Sequence, residues 1–233
     1  MKIAIFSDIH GNDYALNEVL KSAVKEGIQK LLILGDFVGY YYNAHKVFEM
    51  LNDWDYSFIK GNHEGILDQV LQKNENLTEI KRKYGSGHYM AIERLSKEYL
   101  NRLISAQDLK IEKIDGLTFK MCHGAPWDVN EYIYPDSRID ILEKCDDVNA
   151  DFVLIGHSHY SFIHCNKGSI LINPGSIGQS KNMGGFAYWT VINTENKIIE
   201  FKVTPYDSTK LEREIETYDP DVPFLKTVLK RNH

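Results

Sequence analysis

Apolar runs and amphipathic segments alternate along the first quarter of the chain. Residues 2–6 and 30–34 carry short runs of β-branched and other apolar side chains, which are typical of buried strands. Between them, apolar residues recur at helical spacing over 13–26, and a second, shorter helix is predicted over 43–51. A strand is predicted over 56–59. Strand, helix and strand in this order predict a βαβ unit whose sheet carries helices on its face.

The middle of the chain combines a polar region with a hairpin. From about residue 65 to about residue 107 the pattern favours helix, and we interpret this region as a helical insertion that overhangs the site. Residues 109–114 and 117–122 each alternate between apolar and polar side chains, and Asp115-Gly116 between them is a strong turn signal. These two segments predict an antiparallel strand pair.

The last third of the chain is mostly β in pattern. The predicted elements are a helix over 137–145, a buried strand over 152–155, and strand pairs over 161–165 with 169–172 and over 186–192 with 198–203. A Gly-rich loop lies at 173–178, and a charged, helical tail is predicted from about 207. The mixture of helices and strands indicates an α/β protein. Its 233 residues can bury one sizeable core, so we expect a single domain over 1–233.

Composition and charge narrow the class of protein. With 27 Lys and Arg against 33 Asp and Glu, the chain has a formal net charge of −6, which argues against a nucleic-acid-binding surface. Its apolar runs are too short to span a bilayer, and its first residues do not resemble a signal peptide. Its three cysteines have no CxxC spacing and are expected to be reduced. We therefore expect a cytoplasmic protein without a membrane partner, and the oligomeric state stays open.

Side chains that commonly bind metals follow five of the predicted strands directly. They are Asp8 and His10, Asp36, Asn62 with His63, His123, and His157 with His159. Sites in layered α/β folds form beyond the carboxyl ends of strands, so we expect these side chains to meet there. If the chain stays extended after the first strand, Asp8 and His10 face the same side. Ordinary turn and capping roles are the alternative for each single stretch, and repetition at five strand ends argues against it.

The number and kind of these ligands indicate two cations. So many ligands exceed what one tetrahedral ion needs, whereas two ions that share a bridging carboxylate fit them. A set of oxygen and nitrogen ligands without thiolate suits manganese, iron, zinc, nickel or cobalt better than calcium or magnesium. We expect two divalent transition-metal ions, with manganese as the first choice.

The five stretches together resemble the pattern of the calcineurin-like metallophosphoesterase superfamily. D-x-H, G-D, G-N-H, H and G-H-x-H occur in that order between Asp8 and His159. The D-I-H-G-N start and the N-P-G-S-x-G loop at 173–178 are similar to the small bacterial and archaeal phosphodiesterase branch. The resemblance extends from Lys2 to about Val203. It implies a four-layer α/β/β/α sandwich of two mixed β-sheets flanked by helices, and metal-dependent hydrolysis of phosphate esters.

The resemblance also implies roles for individual residues. One ion would be held by Asp8, His10, Asp36 and His159, and the other by Asp36, Asn62, His123 and His157, with Asp36 as the bridge. A hydroxide that bridges the two ions would attack the phosphorus of a small phosphate ester. His63 is similar to the family's histidine near the ions, and we expect it to protonate the leaving alkoxide or to hydrogen-bond the phosphoryl oxygen. The alternative for His63 is a structural role at the start of the following helix.

Two positions depart from the protein Ser/Thr phosphatases of this superfamily. Where those enzymes carry an arginine in Gly-Asp-x-Val-Asp-Arg-Gly and in Arg-Gly-Asn-His-Glu, this chain has Tyr40 and Lys60. Arginine binds phosphate in a bidentate geometry that lysine does not reproduce. We therefore expect hydrolysis of small phosphodiesters. The alternatives are a phosphomonoesterase, resembling either a protein phosphatase or a nucleotide-polyphosphate hydrolase, and an inactive scaffold of the same fold.

The aromatic residues and the remaining histidines leave further alternatives open. The tyrosines at 40–42 are expected either to stack on a substrate ring or to pack against the sandwich. Trp127, Tyr132 and Tyr134 are candidate walls of the pocket. Four histidines follow no strand end and are interpreted as surface or packing residues: His45, His88, His164 and His233.

Overall fold

Two five-stranded sheets form the centre of the computed structural model, which describes residues 1–232. The strands are β1 (Lys2–Phe6), β2 (Lys30–Ile33), β3 (Tyr56–Phe58), β4 (Leu109–Ile114), β5 (Leu117–Cys122), β6 (Phe152–Leu154), β7 (Ser161–Cys165), β8 (Ile170–Pro174), β9 (Phe186–Asn193) and β10 (Ile198–Pro205). The first sheet has the order β10-β9-β1-β2-β3 and the second β4-β5-β6-β8-β7. Both combine parallel and antiparallel neighbours. The parallel pairs are β1 with β2, β2 with β3, β5 with β6, and β6 with β8.

Helices cover the outer faces of the sheets. They are α1 (Asp13–Glu26), α2 (Ala44–Leu51), α3 (Asn62–Leu71), α4 (Leu77–Tyr84), α5 (Gly87–Arg94), α6 (Lys97–Ile104), α7 (Ile139–Lys144), α8 (Thr209–Tyr218) and α9 (Phe224–Leu229). Within residues 1–232, no helix combines the length and the apolar character needed to cross a membrane.

The apolar core is divided into layers by the two sheets. Between the sheets, Ile5 and Leu32 of the first pack in one cluster with Met121 and Phe152 of the second. On the outer face of the first sheet, the apolar sides of α1 and α2 pack against it. On the outer face of the second sheet, Leu142 of α7 does the same. Two mixed sheets flanked by helices confirm the fold that the resemblance implied.

The helical region after β3 begins earlier than the sequence pattern predicted. The predicted start was about residue 65, but α3 begins at Asn62. The Glu64 side chain accepts a hydrogen bond from the backbone N–H of Gly61 at 2.8 Å, which caps the helix before its first turn. Asn62 and His63 are consequently the first two residues of a helix, and they project from its N-terminus.

The segment after residue 206 folds back onto the helical region. Leu211, Ile215 and Leu225 of α8 and α9 form one apolar cluster with Tyr41 and Tyr42. These two tyrosines are 0% and 1% exposed. Their packing role, one of the two alternatives stated for them, is the one that the structure shows. Tyr40 differs, because its ring reaches the candidate site.

Candidate metal centre and active site

The site lies where strands from both sheets end. Asp8 and His10 follow β1, Asp36 follows β2, and Asn62 follows β3. His123 follows β5 of the second sheet, and His157 and His159 follow β6. β1, β2 and β3 are parallel, as are β5 and β6, so the carboxyl ends of these strands lie at the same end of each sheet. These two ends meet, and residues from Asp8 to His159 therefore converge in one buried cage.

One group of ligand-type atoms contains Asp8, His10 and His159. Nε2 of His159 lies 3.2 Å from Oδ1 of Asp8 and 3.2 Å from Nε2 of His10. The three ligand atoms lie within 4.8 Å of one another, and all three side chains are buried. This spacing suits a single cation at their centre.

A second group contains Asp36, His123 and His157, again within 4.8 Å. Nε2 of His123 lies 3.2 Å from Oδ2 of Asp36 and 3.0 Å from Oδ1 of Asn62. Asn62 therefore adds an amide oxygen to this group. Two carboxylates, one amide and four imidazoles are thus gathered at one place, and they are the seven residues named from the sequence as metal ligands.

The two groups adjoin each other. Nε2 of His10 lies 3.7 Å from Oδ1 of Asp8 and 3.7 Å from Oδ2 of Asp36. Nε2 of His123 lies 4.0 Å from Oδ1 of Asp8. A carboxylate of Asp36 is therefore within reach of histidines from both groups, which is the position that a shared ligand requires.

Three of the histidines each donate a hydrogen bond from Nδ1 to a backbone carbonyl oxygen. Nδ1 of His10 donates to the carbonyl oxygen of Val38 at 2.9 Å, and Nδ1 of His123 to that of Leu34 at 2.6 Å. Nδ1 of His159 donates to the carbonyl oxygen of Gln179 at 2.7 Å. A proton on Nδ1 leaves the Nε2 lone pair directed into the cage, as a metal ligand needs.

His157 is held in the opposite orientation. Its Nε2 lies 3.2 Å from the carbonyl oxygen of Asn130, to which it donates, so that Nδ1 carries the free lone pair. Its backbone N–H donates to Oδ2 of Asp8 at 3.1 Å, which ties the two strand ends together.

The donor set of the cage fits divalent cations. Oδ1 of Asp8 and Oδ2 of Asp36 are buried and have no hydrogen-bond partner. Nε2 of His10 and Nε2 of His159, both with lone pairs, face each other at 3.2 Å. Lone pairs that face each other at this distance repel unless a positive charge lies between them. Divalent cations would satisfy all four atoms at once.

The electrostatics of the cage favour positive charge. Burial raises the pKa of the Asp8 carboxyl, but His159 and His123 lower it by more, and the net result is well below its usual value. Asp36 behaves in the same way, with His123 as the main opposing partner. Burial lowers the pKa of His123, but Asp36 raises it to about 10 overall. The carboxylates of Asp8 and Asp36 and the imidazolium of His123 give the cage a net negative charge. A cation that binds there would displace the extra proton of His123.

Several residues of the cage have an uncommon backbone conformation. Asp8, His10 and Asp36 have φ of 54°, 50° and 55°, and His157 and His159 both have 62°. The chain is therefore left-handed, not extended, at Asp8 and His10, and the extended geometry expected for them is wrong. Left-handed residues other than glycine cost about 1–2 kcal/mol each, and such strain concentrates at functional sites.

Close approach of two loops requires glycine at position 61. A Cβ on Gly61 would lie 2.2 Å from Oδ1 of Asp36. That same oxygen accepts a hydrogen bond from the backbone N–H of His63 at 2.9 Å. The Gly-Asn-His-Glu stretch therefore docks directly on the Asp36 carboxylate.

Glu64 supports the cage and was not named as a site residue from the sequence. Its buried carboxylate accepts hydrogen bonds of 2.8 Å from the backbone N–H groups of Asp36, Phe37 and Gly61. The signal for it was present, since a glutamate three residues after a helix N-cap is the pattern of a capping box.

The Gly-rich loop at 173–178 holds the strand ends in place. The side chain of Asn173 donates to the carbonyl oxygen of Gly156 at 2.7 Å, and Oγ of Ser176 donates to that of Asp8 at 2.8 Å. Together with the carbonyl oxygen of Gln179 behind His159, these contacts explain why a polar loop lies buried here.

His63 lies at the rim of the cage, where one of its ring nitrogens is within 4.8 Å of ligand-type atoms of His10 and Asp36, and other rings surround it. Its centroid is 4.9 Å from that of His10 and 4.8 Å from that of Tyr40. Tyr84 of α4 is at 4.9 Å and His88 of α5 at 5.1 Å. His88 is fully buried, which fits the packing alternative and not the surface one. His233 lies outside the described residues. Of the candidate pocket walls, Tyr132 contacts the cage, with its ring 3.9 Å from that of His157.

Comparisons with known proteins agree with this geometry. A family model of the calcineurin-like phosphoesterase superfamily domain matches residues 1–197. An uncharacterized protein of Methanocaldococcus jannaschii is 30% identical in an alignment that covers 91% of this chain and 91% of that protein.

Solved structures show the same fold. A hypothetical protein of Pyrococcus horikoshii OT3 aligns with a TM-score of 0.81 and 19% identity, over 100% of this chain and 98% of its own. A metallophosphoesterase from Sphaerobacter thermophilus aligns with a TM-score of 0.78 and 24% identity, over 98% of both chains. The extensive match of the family model, together with the archaeal relative, confirms the resemblance. The chain belongs to the calcineurin-like phosphoesterase superfamily and is a metal-dependent phosphoester hydrolase.

Proposed function

We propose that this protein is a phosphodiesterase that hydrolyses small phosphodiesters with two divalent transition-metal ions, manganese first among them. The observation that carries the proposal is the buried cage of unpartnered carboxylate oxygens and imidazole lone pairs. Its ligand-type atoms group around Asp8, His10 and His159 and around Asp36, His123 and His157, and His63 lies beside His10 and Asp36. In this proposal Asp8, His10, Asp36 and His159 hold one ion. Asp36, Asn62, His123 and His157 hold the other.

The ions and the protein divide the chemistry between them. When bound, two divalent ions supply a water of lowered pKa as nucleophile and neutralise the negative charge of the phosphate. Asp36 contacts histidines of both groups and would be the ligand that the two ions share. Carbonyl oxygens behind His10, His123 and His159 keep the three rings aligned.

His63 acts on the ester from the rim of the cage. Its backbone N–H is anchored on Asp36, and its ring lies beside that of His10. It has no place in the two proposed ligand sets. His63 therefore protonates the leaving alkoxide or hydrogen-bonds the phosphoryl oxygen in this proposal, as a positioned acid does in phosphoester hydrolysis.

The preference for diesters rests on the positions that hold arginine in the protein phosphatases. Tyr40 stands at one of them, and its ring packs on His10 at a centroid distance of 4.6 Å. Lys60 stands at the other, and its Nζ is 3.4 Å from Asp108. A monoester dianion carries more charge than a diester monoanion and needs more cationic contacts. One solved structure that aligns with a TM-score of 0.53 and 22% identity, over 87% of this chain and 99% of its own, is that of an archaeal phosphodiesterase.

A metal-by-substrate screen tests the proposal. Protein stripped with a chelator is reloaded with manganese, iron, zinc, nickel or cobalt. Each form is assayed with bis-p-nitrophenyl phosphate and with p-nitrophenyl phosphate. We expect at least one metal to give a kcat/KM for the diester about tenfold above that for the monoester. A monoester preference with every metal would assign the protein to the phosphomonoesterases instead.

A substitution of His63 tests whether this residue acts as an acid or as a metal ligand. We expect His63→Ala to keep the metal content of the parent and to lower kcat about 100-fold or more, the scale of general acid catalysis. Metal content is measured by elemental analysis of the dialysed protein. Unchanged turnover would remove His63 from the mechanism, and metal loss would make it a ligand.

The cytoplasmic location of the protein stays a prediction. Cys122 and Cys145 are buried free thiols, which suits a reducing, cytoplasmic compartment. Size-exclusion chromatography with light scattering would determine the oligomeric state.

A further inference from the structure

His88 is a buried histidine to which the proposed reaction gives no task. It lies on α5 and is 0% exposed. Its Nε2 is 3.3 Å from Nδ1 of His63, 25 residues earlier in the chain. The planes of the two rings differ by only 13°, which allows the hydrogen bond to run from edge to edge.

Gly39 leaves this edge of His63 accessible. A Cβ on Gly39 would lie 2.1 Å from Nδ1 of His63, and its φ of +87° is one that side-chain-bearing residues rarely adopt. Position 39 therefore contributes backbone alone. The side chain that reaches Nδ1 of His63 comes from α5 instead.

The surroundings of His88 indicate the direction of the hydrogen bond. If His63 donated, Nε2 of His88 would accept, and the proton of His88 would lie on its Nδ1. That atom is buried and has no hydrogen-bond partner, and an unpaired buried N–H costs about 1–3 kcal/mol. If His88 donates, its Nδ1 carries only an unpaired lone pair. A buried acceptor without a partner is less rare than a buried N–H without one, so donation by His88 is favoured.

We propose that His88 is a positioning residue that donates from Nε2 to Nδ1 of His63 and so keeps the proton of His63 on Nε2. This inference rests on the proposed function, in which His63 acts on the ester. Nε2 of His63 is then a hydrogen-bond donor fixed toward the oxygen that gains negative charge as the P–O bond breaks. The helical region between β3 and β4 thus completes the active site through α5.

Leaving groups of different basicity test this role in the metal-loaded enzyme. His88→Phe keeps a ring and removes the donor, whereas His88→Gln keeps an N–H donor at the end of the side chain. With methyl phenyl phosphate, whose leaving group needs assistance, we expect His88→Phe to lower kcat about 10- to 100-fold. With methyl p-nitrophenyl phosphate the loss should stay below about threefold, because that leaving group needs little assistance.

The controls separate positioning from structure. His88→Gln should retain kcat within about threefold on both esters, and His164→Phe on strand β7 should match the parent. Metal content should be the same in all variants. An equal loss on both esters, or no loss on either, would overturn the proposal.

A second measurement needs no variant at His88. Nitrogen NMR of the zinc-loaded full chain with labelled histidine reports which ring nitrogen of His63 carries the proton, with His63→Gln supplying the assignment. We expect a protonated Nε2 and an accepting Nδ1. A proton on Nδ1 of His63 would overturn the proposal even if His88→Phe fails to fold. If the parent hydrolysed no diester with any metal, the proposed function would fail while this measurement still decided the contact.

Discussion

At the scale of single residues, Glu64 joins the two loops that carry Asp36 and Asn62. Glu64→Gln replaces an acceptor oxygen by an N–H donor, so at least one buried backbone N–H loses its partner. We expect the free energy of unfolding to fall by about 2–4 kcal/mol and metal affinity to fall with it. Urea denaturation and metal titration measure the two effects.

An exposed glutamate provides the control for this change. Glu79 has a side chain that is 61% exposed and pairs with Arg82 on the same helix. Glu79→Gln should change the free energy of unfolding by less than about 0.5 kcal/mol. An equally small change in Glu64→Gln would show that the loops do not depend on this carboxylate.

The residues of the cage were predictable because each lies within a few residues of the end of a strand. Asp8, Asp36 and His123 come soon after strands in the sequence. Because parallel strands end at the same end of a sheet, this place in the sequence also predicts their place in the site. His88 has no such relation to a strand end. It reaches His63 only through the packing of α5, and helix packing leaves no short-range mark in the sequence.

At the scale of elements, Asp219 connects the end of α8 with the start of α5. Its buried carboxylate accepts hydrogen bonds from the backbone N–H of Ser86 at 2.7 Å and from its hydroxyl at 2.6 Å. It also accepts one from the hydroxyl of Tyr42 at 2.9 Å. Since Ser86 is the N-cap of α5, the C-terminal segment fixes the helix that carries His88.

Removing this carboxylate tests the connection. We expect Asp219→Ala to lower the free energy of unfolding by about 2–4 kcal/mol, because three buried donors lose a charged partner. Turnover of methyl phenyl phosphate should fall while metal content stays constant, because α5 lies outside the cage. Asp221→Ala, an exposed change two residues further on, should leave both unchanged. Loss of metal in Asp219→Ala would contradict this separation.

Burial of His88 in α5 predicts a pH dependence of stability. Burial lowers the pKa of His88 from 6.5 to about 4. Between pH 7 and pH 5 the unfolded chain binds a proton that the folded chain does not, so this residue makes the protein less stable as the pH falls.

A variant isolates the contribution of His88. In His88→Phe, the difference between the free energies of unfolding at pH 7 and pH 5 should shrink by about 2 kcal/mol, since each unit below 6.5 is worth about 1.4 kcal/mol. Urea denaturation of chelated protein at both pH values measures it, so that metal loss does not contribute. The same difference in parent and variant would mean that the pKa of His88 is equal in the folded and the unfolded chain.

Elements were easier to predict than their contacts. The hairpin of β4 and β5 has the alternation and the Asp115-Gly116 turn that the sequence indicated, because both signals are local. The tail from about 207 was predicted to be helical, and α8 and α9 are there. Their apolar cluster with Tyr41 and Tyr42 depends on contacts over more than 160 residues, which periodicity does not reveal.

At the scale of the whole molecule, the cage joins the two sheets. Asp8 and Asp36 extend from the first sheet, and His123, His157 and His159 from the second. Two carboxylate oxygens at this boundary, Oδ1 of Asp8 and Oδ2 of Asp36, have no hydrogen-bond partner. Cations bound here would link both halves of the sandwich, and a ligand that binds only the folded state stabilises it.

Metal binding should therefore raise the melting temperature of the whole protein. At a free concentration about 100 times the Kd, each manganese ion bound should add about 2.7 kcal/mol of stability, or roughly 5–10 °C for a chain of this length. Magnesium at the same concentration should add less, because it prefers oxygen ligands. Asp36→Asn removes the carboxylate that we propose both ions share and should abolish most of the shift, whereas the exposed change Asp55→Asn should retain it. Scanning calorimetry of chelated and reloaded protein measures these shifts. A shift in Asp36→Asn as large as in the parent would place the stabilising ions somewhere other than between the two sheets.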